Sequence, residues 1–211
     1  MRKNGIPPVP NRSQGTTWSK FIKNHQDVIA ACDFFTTEVV TPVGLITYYV
    51  LFFIHISSRK VHIAGMTPHP NEHWMKQMAR NVTMEGWGFL SDCKYLIHDR
   101  DTKFCRSFQS IIASMGIKPI RLPPQTPKMN SFAERFVRSV KEECLNRLLF
   151  FGEEGLRNAL VEYTNHYHEE RNHQGKDNLL LFPDPLINDR GKIKCHKRLS
   201  GMLRYYYRSA A

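Results

Sequence analysis

Apolar and polar positions along the chain fall into blocks whose period changes. Between Asp27 and Thr36 the stretch Val28, Ile29, Ala30 and Ala31 runs into Asp33, Phe34 and Phe35, and β-branched and aromatic runs follow at Val43 to Ile56 and Lys60 to Met66. Three consecutive strands are predicted, with reversals near Pro42-Val43-Gly44 and Ser57-Ser58. Pro70 then opens a helical pattern in which Trp74, Met78 and Val82 recur every fourth residue, and it ends by Gly86. Tyr95-Leu96-Ile97 is a short strand ending in His98-Asp99. The face Phe104, Phe108, Ile111, Ile112 and Met115 marks a helix from about Thr102, with Asp101 as its N-cap and Gly116 as its stop. Ile117 to Leu122 is a further strand. A Pro-rich loop from Pro123 to Asn130 leads to a long helix from Ser131, and another helix spans about Glu153 to Tyr167. The order is β-β-β-α-β-α-β-α-α.

Three regions follow from this pattern. Residues 1–18 are rich in Pro, Gly, Asn, Ser and Thr and read as an arm. Residues 19–175 hold the periodic elements, and 176–211 form a basic extension in which Leu186 to Ala211 carries seven Lys or Arg against Asp189 alone. With 211 residues and 41% hydrophobic content, one substantial core is expected.

Charge narrows the partner. Lys and Arg total 30 against 19 for Asp and Glu, a formal charge of +11, which favours a polyanion such as nucleic acid. Cys32, Cys93, Cys105, Cys144 and Cys195 are scattered, without a Cys-x-x-Cys pair, so neither a disulfide framework nor a zinc ribbon is indicated and a reducing cytoplasm is expected. His69 and His73 have a zinc-like spacing, but no cysteine pair completes it, and they read as surface histidines. The longest apolar run, Val43 to Ile56, is 14 residues, too short for a bilayer, and the start of the chain holds prolines rather than a secretory signal. No membrane partner is expected.

In a chain this basic the carboxylates are oddly placed. Asp33 lies inside an apolar strand and Asp99 where another ends, and buried carboxylates need partners. Taken singly, each reads as a hydrogen-bonded core Asp or a turn residue. On the long helix Glu134, Arg138 and Lys141 share a face within about 60° of one another. Ser131-Phe132-Ala133-Glu134 is also a possible capping box, in which Glu134 only satisfies a backbone donor.

Asp33-Phe34-Phe35-Thr36, His98-Asp99-Arg100-Asp101-Thr102-Lys103-Phe104 and Asn130-Ser131-Phe132-Ala133-Glu134-Arg135-Phe136 together resemble the three motif blocks of the DDE-type insertion-sequence transposases related to retroviral integrases. The resemblance runs from about Trp18 to His173, and the 34 residues between Asp99 and Glu134 match the interval of that superfamily. It implies an α/β, ribonuclease-H-like fold: a mixed sheet flanked by helices. It also implies a polynucleotidyl transferase whose catalytic and metal-binding residues are Asp33, Asp99 and Glu134, with two Mg²⁺ or Mn²⁺ ions, Asp33 bridging both, Asp99 binding one and Glu134 the other.

By the same resemblance Lys141, and less directly Arg138, contact DNA phosphates. The alternative for both is a solvated face pairing with Glu134 or Glu142. Asp101 competes with Asp99 for the second place, with 32 residues before Glu134; Asp99 is preferred because it adjoins the strand. The implied partners are transposon ends and target DNA, with a homo-oligomer as the active form. The usual upstream helix-turn-helix does not fit in residues 1–30, so a separate end-recognition domain or protein is expected. His173-Gln174-Gly175-Lys176 and Lys128 depart from the family's usual residues without touching a carboxylate.

Three rival readings remain. His168, Arg171 and Tyr205 look like part of a tyrosine-recombinase pattern, which would need a mostly helical catalytic domain. A catalytically inactive DNA-binding remnant would keep the fold without joining DNA. A plain nuclease would hydrolyse without joining.

Overall fold

The long apolar runs become the centre of one five-stranded sheet. The computed structural model describes residues 18–122, 130–183 and 191–208. The arm at 1–17, the Pro-rich segment 123–129 and part of the basic extension, 184–190 and 209–211, lie outside the described residues.

Strands β1 (Ile29–Thr41), β2 (Gly44–His55) and β3 (Val61–Thr67) form an antiparallel meander, and β4 (Tyr95–His98) and β5 (Lys118–Arg121) add in parallel to the other edge of β1. The spatial order is β3-β2-β1-β4-β5. Pro119 has no amide hydrogen for a ladder, and it is accommodated because β5 is an edge strand. At the other edge the register shifts between Leu51 and Phe52, so Ala64 is an extra residue opposite β2. A Cβ on Gly65 would stand 2.7 Å from Met78 Sδ and 3.1 Å from Trp74, so this glycine lets a helix approach β3 closely.

That helix is α2 (Glu72–Val82), started by Asn71, whose side chain accepts from the Trp74 amide. It packs with α3 (Arg106–Ser114) on one face of the sheet, where Met75, Met78, Ala79, Val82, Phe108 and Ile112 cover Ala30, Cys32, Leu51 and Phe53. The opposite face receives α4 (Ser131–Glu143) and α5 (Gly152–Glu169), through Ala133, Phe136, Val140, Leu156, Leu160 and Tyr163 against Ala31, Phe35, Phe52 and Ile54. Phe136 is fully buried, 4.9 Å from the Phe52 ring centroid. Truncating either ring to Ala costs about 3–5 kcal/mol.

The α/β order expected from the pattern is present, with three differences. A helix, α1 (Trp18–His25), precedes the sheet and lays Phe21 edge-on against Tyr95, ring centroids 5.3 Å apart. Within the basic extension, β6 (Ile193–Arg198) and β7 (Leu203–Arg208) form an antiparallel hairpin. It is docked on α5 by Glu170, a nearly fully buried carboxylate that pairs with His166 Nδ1 at 2.9 Å, His196 Nδ1 at 2.6 Å and Arg198 Nη2 at 2.9 Å. Burial alone would raise the Glu170 pKa; the hydrogen bonds from Arg198, His166 and His196 outweigh it and hold it low. Third, α3 begins at Arg106 after Cys105, not at Thr102, so Asp101 is not its N-cap.

Among the described residues no helix is long and apolar enough to cross a membrane.

Candidate active site

Side chains alternate along a strand, so Asp33 shares a face with Ala31 and Phe35, the face that α4 covers, while Cys32 and Phe34 point to α2 and α3. A carboxylate therefore takes an inward position. It is half-buried: Oδ1 accepts the Phe34 amide at 2.7 Å, and Oδ2 accepts Nδ2 of Asn130, the residue that enters α4, at 3.3 Å.

The parallel pairing of β1 with β4 sets the second carboxylate. Ala31 is level with Ile97, and each chain then runs two residues further, to Asp33 and to Asp99. Asp99 Oδ1 accepts the Asp101 amide at 3.0 Å. Asp101 turns to its own neighbour: Oδ1 accepts the Lys103 amide at 2.9 Å, and Oδ2 is 2.6 Å from Lys103 Nζ. This is a local turn.

Glu134 stands in the first turn of α4, exposed. The capping box does not form: the cap is Asn130, and no side-chain cap hydrogen bond is made at this helix start. Burial pushes the Asp33 carboxyl up to about 7 despite the Phe34 amide, and repulsion from Asp99, Glu134 and Asp101 adds to the rise. Asp99, Glu134 and Asp101 are thus near enough to Asp33 to act on its charge.

The donor chemistry suits a hard divalent cation. The candidates are carboxylate oxygens, and Asn130 adds an amide oxygen, Oδ1, that is buried without a partner beside Asp33. The side chains do not converge, however: among the described residues no three His, Cys, Asp or Glu are gathered tightly enough to hold one ion.

Arg138 and Lys141 follow Glu134 on α4, Arg138 exposed and Lys141 half-buried. Neither forms an ion pair with Glu134 or Glu142 among the described residues.

The Tyr163 to His173 block, in contrast, is occupied in holding helices together. Arg171 grips Glu143 of α4 with Nε at 2.9 and 3.0 Å and Nη2 at 2.7 Å, and Tyr163 donates to the same carboxylate at 3.1 Å. His168 Nε2 accepts the Val61 amide at 2.9 Å. The tyrosine-recombinase reading loses both its His and its Arg to these contacts, and the sheet-centred fold differs from the helical domain it needs. Asn130 was not singled out from the sequence, although it lies inside the third motif block; nor was Arg59, described below.

Five mixed strands in this order, with helices on both faces, form an α/β, ribonuclease-H-like fold of the kind seen in integrase catalytic cores, with Asp33 inside β1, Asp99 just past the end of β4 and Glu134 in the first turn of α4. Residues 115–179 match the integrase core domain family. Among solved structures, the chain is similar to the HTLV-2 integrase catalytic core domain in complex with magnesium, in its trimeric form, at 13% identity over 74% of this chain and 93% of that one, TM-score 0.55. It is similar to the simian T-cell lymphotropic virus intasome in complex with the PP2A regulatory subunit B56 gamma, at 14% identity over 87% and 67%, TM-score 0.53. The catalytic core domain of BIV integrase matches at 13% identity over 71% and 88%, TM-score 0.50. At these identities the likeness is one of fold. No curated protein matches the sequence. The family match covers residues 115–179, and the likeness of fold extends over most of the chain.

Proposed function

We propose that the chain is the catalytic core of a DDE transposase or integrase that cuts and joins DNA by divalent-metal-dependent phosphoryl transfer. The observation that carries this reading is the placement of the carboxylates: Asp33 and Asp99 each lie two residues past the level pair Ala31 and Ile97 on neighbouring strands, and Asn130, which enters the helix that carries Glu134, reaches Asp33 Oδ2 at 3.3 Å.

Asp33, Asp99 and Glu134 would hold two divalent ions, Mg²⁺ or Mn²⁺; the magnesium in the HTLV-2 integrase core favours the first. Bound ions of this kind lower the pKa of water and stabilise charge on the attacking and leaving oxygens. The chain's own residues do the positioning. Asn130 fixes the Asp33 carboxylate, and Asp99, whose Oδ2 makes no hydrogen bond among the described residues, is better placed to bind a cation than Asp101, which is spent on Lys103. Lys141 and Arg138 hold DNA phosphates beside Glu134. Water attacks a phosphodiester and breaks its P–O3′ bond, which frees a 3′-hydroxyl and leaves a 5′-phosphate; that 3′-hydroxyl then attacks a target phosphodiester, forms the joining bond and releases the target's own 3′-hydroxyl as the leaving group. A homo-oligomer, as in the trimeric form of the HTLV-2 core, is the active state. The protein works on transposon ends and target DNA in the cytoplasm.

The test is nicking and joining of DNA with Mg²⁺ or Mn²⁺. Joining separates this reading from a plain nuclease, and any turnover separates it from an inactive remnant.

A further inference from the structure

A cleft of about 320 Å³ lies beside the first two turns of α4, between that helix, the β2–β3 turn and the segment after α5. Arg59, Arg135, Arg138, Arg171 and Lys176 line it, and no Asp or Glu does. Arg171 is matched by Glu143 behind it; the other four have no acidic partner among the described residues.

Arg59 is the most constrained of them. Its φ of 64° is left-handed, a conformation disfavoured for a long side chain, and its amide is fixed on the His55 carbonyl at 2.9 Å. The guanidinium lies 3.7 Å over the Phe132 ring centroid, and Arg135 approaches the same ring at 4.9 Å. Arg59 Nε is buried without a hydrogen-bond partner among the described residues. Burial and Arg135 push its pKa down to about 10, which still leaves it charged at neutral pH. Two guanidiniums packed against one ring, in a cleft lined by no carboxylate, leave positive charge that a bound anion would match.

We propose that this cleft is a phosphate subsite in which Arg59 and Arg135, with Arg138 and Lys176 at the rim, hold one backbone phosphate of the nucleic acid. Planar guanidiniums suit a phosphate's paired oxygens. The polymer is favoured over a free ion because Arg138 lines the cleft and sits one helical turn from Glu134, so the cleft and the carboxylates flank the same turn of α4. The proposal rests on the DNA-joining reading above, and it adds the β2–β3 turn to the DNA-binding surface.

The test is the affinity of the full chain for duplex DNA against salt, in metal-free buffer, for wild type, Arg59→Gln, Arg59→Lys and Arg59→Gly. Loss of one phosphate contact lowers affinity roughly tenfold at fixed salt and reduces the slope of log affinity against log salt by about one. Arg59→Lys restores the slope. Arg59→Gly, which suits the left-handed backbone, keeps the test valid if Arg59→Gln does not fold. A slope unchanged in folded Arg59→Gln or Arg59→Gly overturns the subsite. Inorganic phosphate that raises the melting temperature only when Arg59 is present, with an unchanged DNA slope, makes this a free-phosphate site and overturns the nucleic-acid assignment. If wild type cuts and joins DNA yet the slope does not respond, only the subsite fails; if wild type neither binds nor cuts DNA, the underlying reading fails.

Discussion

Asn130 donates from Nδ2 to Oδ2 of Asp33 across 3.3 Å, tying the residue that enters α4 to the carboxylate in the central strand. This contact sets how the start of α4, and Glu134 on it, stands relative to the sheet. Asn130→Ala is predicted to lower kcat about 10–100-fold with little change in DNA affinity, as for other residues that orient a ligand. Asn130→Asp, which adds a fourth negative charge, is predicted to move the acidic limb of the pH–rate profile upward. A pH–rate series on both variants checks this, and a KM-only effect contradicts it.

Asp33→Asn is predicted to remove activity while stabilising the metal-free fold. The Asp33 carboxyl sits at about 7 in the fold against an ordinary 3.8. A raised carboxylate contributes stability below its unfolded pKa, and that contribution is lost as pH rises through about 7. The variant therefore gains over wild type at pH 8, by on the order of 4 kcal/mol as an upper bound, and little at pH 4. Melting temperatures in chelator at the two pH values decide it. Added Mg²⁺ or Mn²⁺ should raise the wild-type value at pH 8 and leave the variant's unchanged.

Burial, with help from Lys60 and His173, lowers the His168 pKa to about 4, and its Nε2 accepts the Val61 amide, which requires the neutral ring. A depressed histidine gives stability that is present above about 6.5 and lost as pH falls towards 4. The loss amounts to about 3 kcal/mol at most. His168→Gln is predicted to be less stable at pH 7 and to show a shallower fall in stability between pH 6.5 and 4, measured by urea unfolding.

Glu143 accepts from both Arg171 and Tyr163, and removing it leaves a half-buried guanidinium and a buried phenol unmatched. Glu143→Gln is predicted to cost about 1–3 kcal/mol in unfolding free energy. DNA cleavage per folded molecule should hold. A specific loss of chemistry without loss of stability would give the Arg171 block a direct role.

The central strands and the helices that cover them were legible because their burial is regular. Val50 to Ile54 of β2 are buried on both faces of the sheet, and Ala133, Phe136 and Val140 repeat at helical spacing. Legibility ended where burial thins. The end of β1 continues to Thr41 with only Val39 buried beyond Phe35, so hydrophobicity could not mark it. The β6–β7 hairpin is held by the contacts of Arg198 and His196 with Glu170, which no period reveals. The start of α3 was misjudged because an Asp before a helical face reads as a cap, while Asp101 uses both oxygens on Lys103. In the candidate site, Asp33, Asp99 and Glu134 were picked out by the resemblance of their motif blocks. Asn130 and Arg59 could not be ranked, since their roles depend on a long-range contact and a turn conformation.

The most direct measurement is disintegration of a pre-branched DNA substrate by the purified chain with Mn²⁺ or Mg²⁺, alongside Asp33→Asn, Asp99→Asn, Glu134→Gln and Asp101→Asn. The account predicts metal-dependent nicking and joining by wild type, abolished by chelation. The first three variants should lose at least about a hundredfold, more than a residue that merely orients a ligand, while Asp101→Asn retains activity. Turnover that survives chelation, or an active Asp99→Asn beside a dead Asp101→Asn, would contradict it.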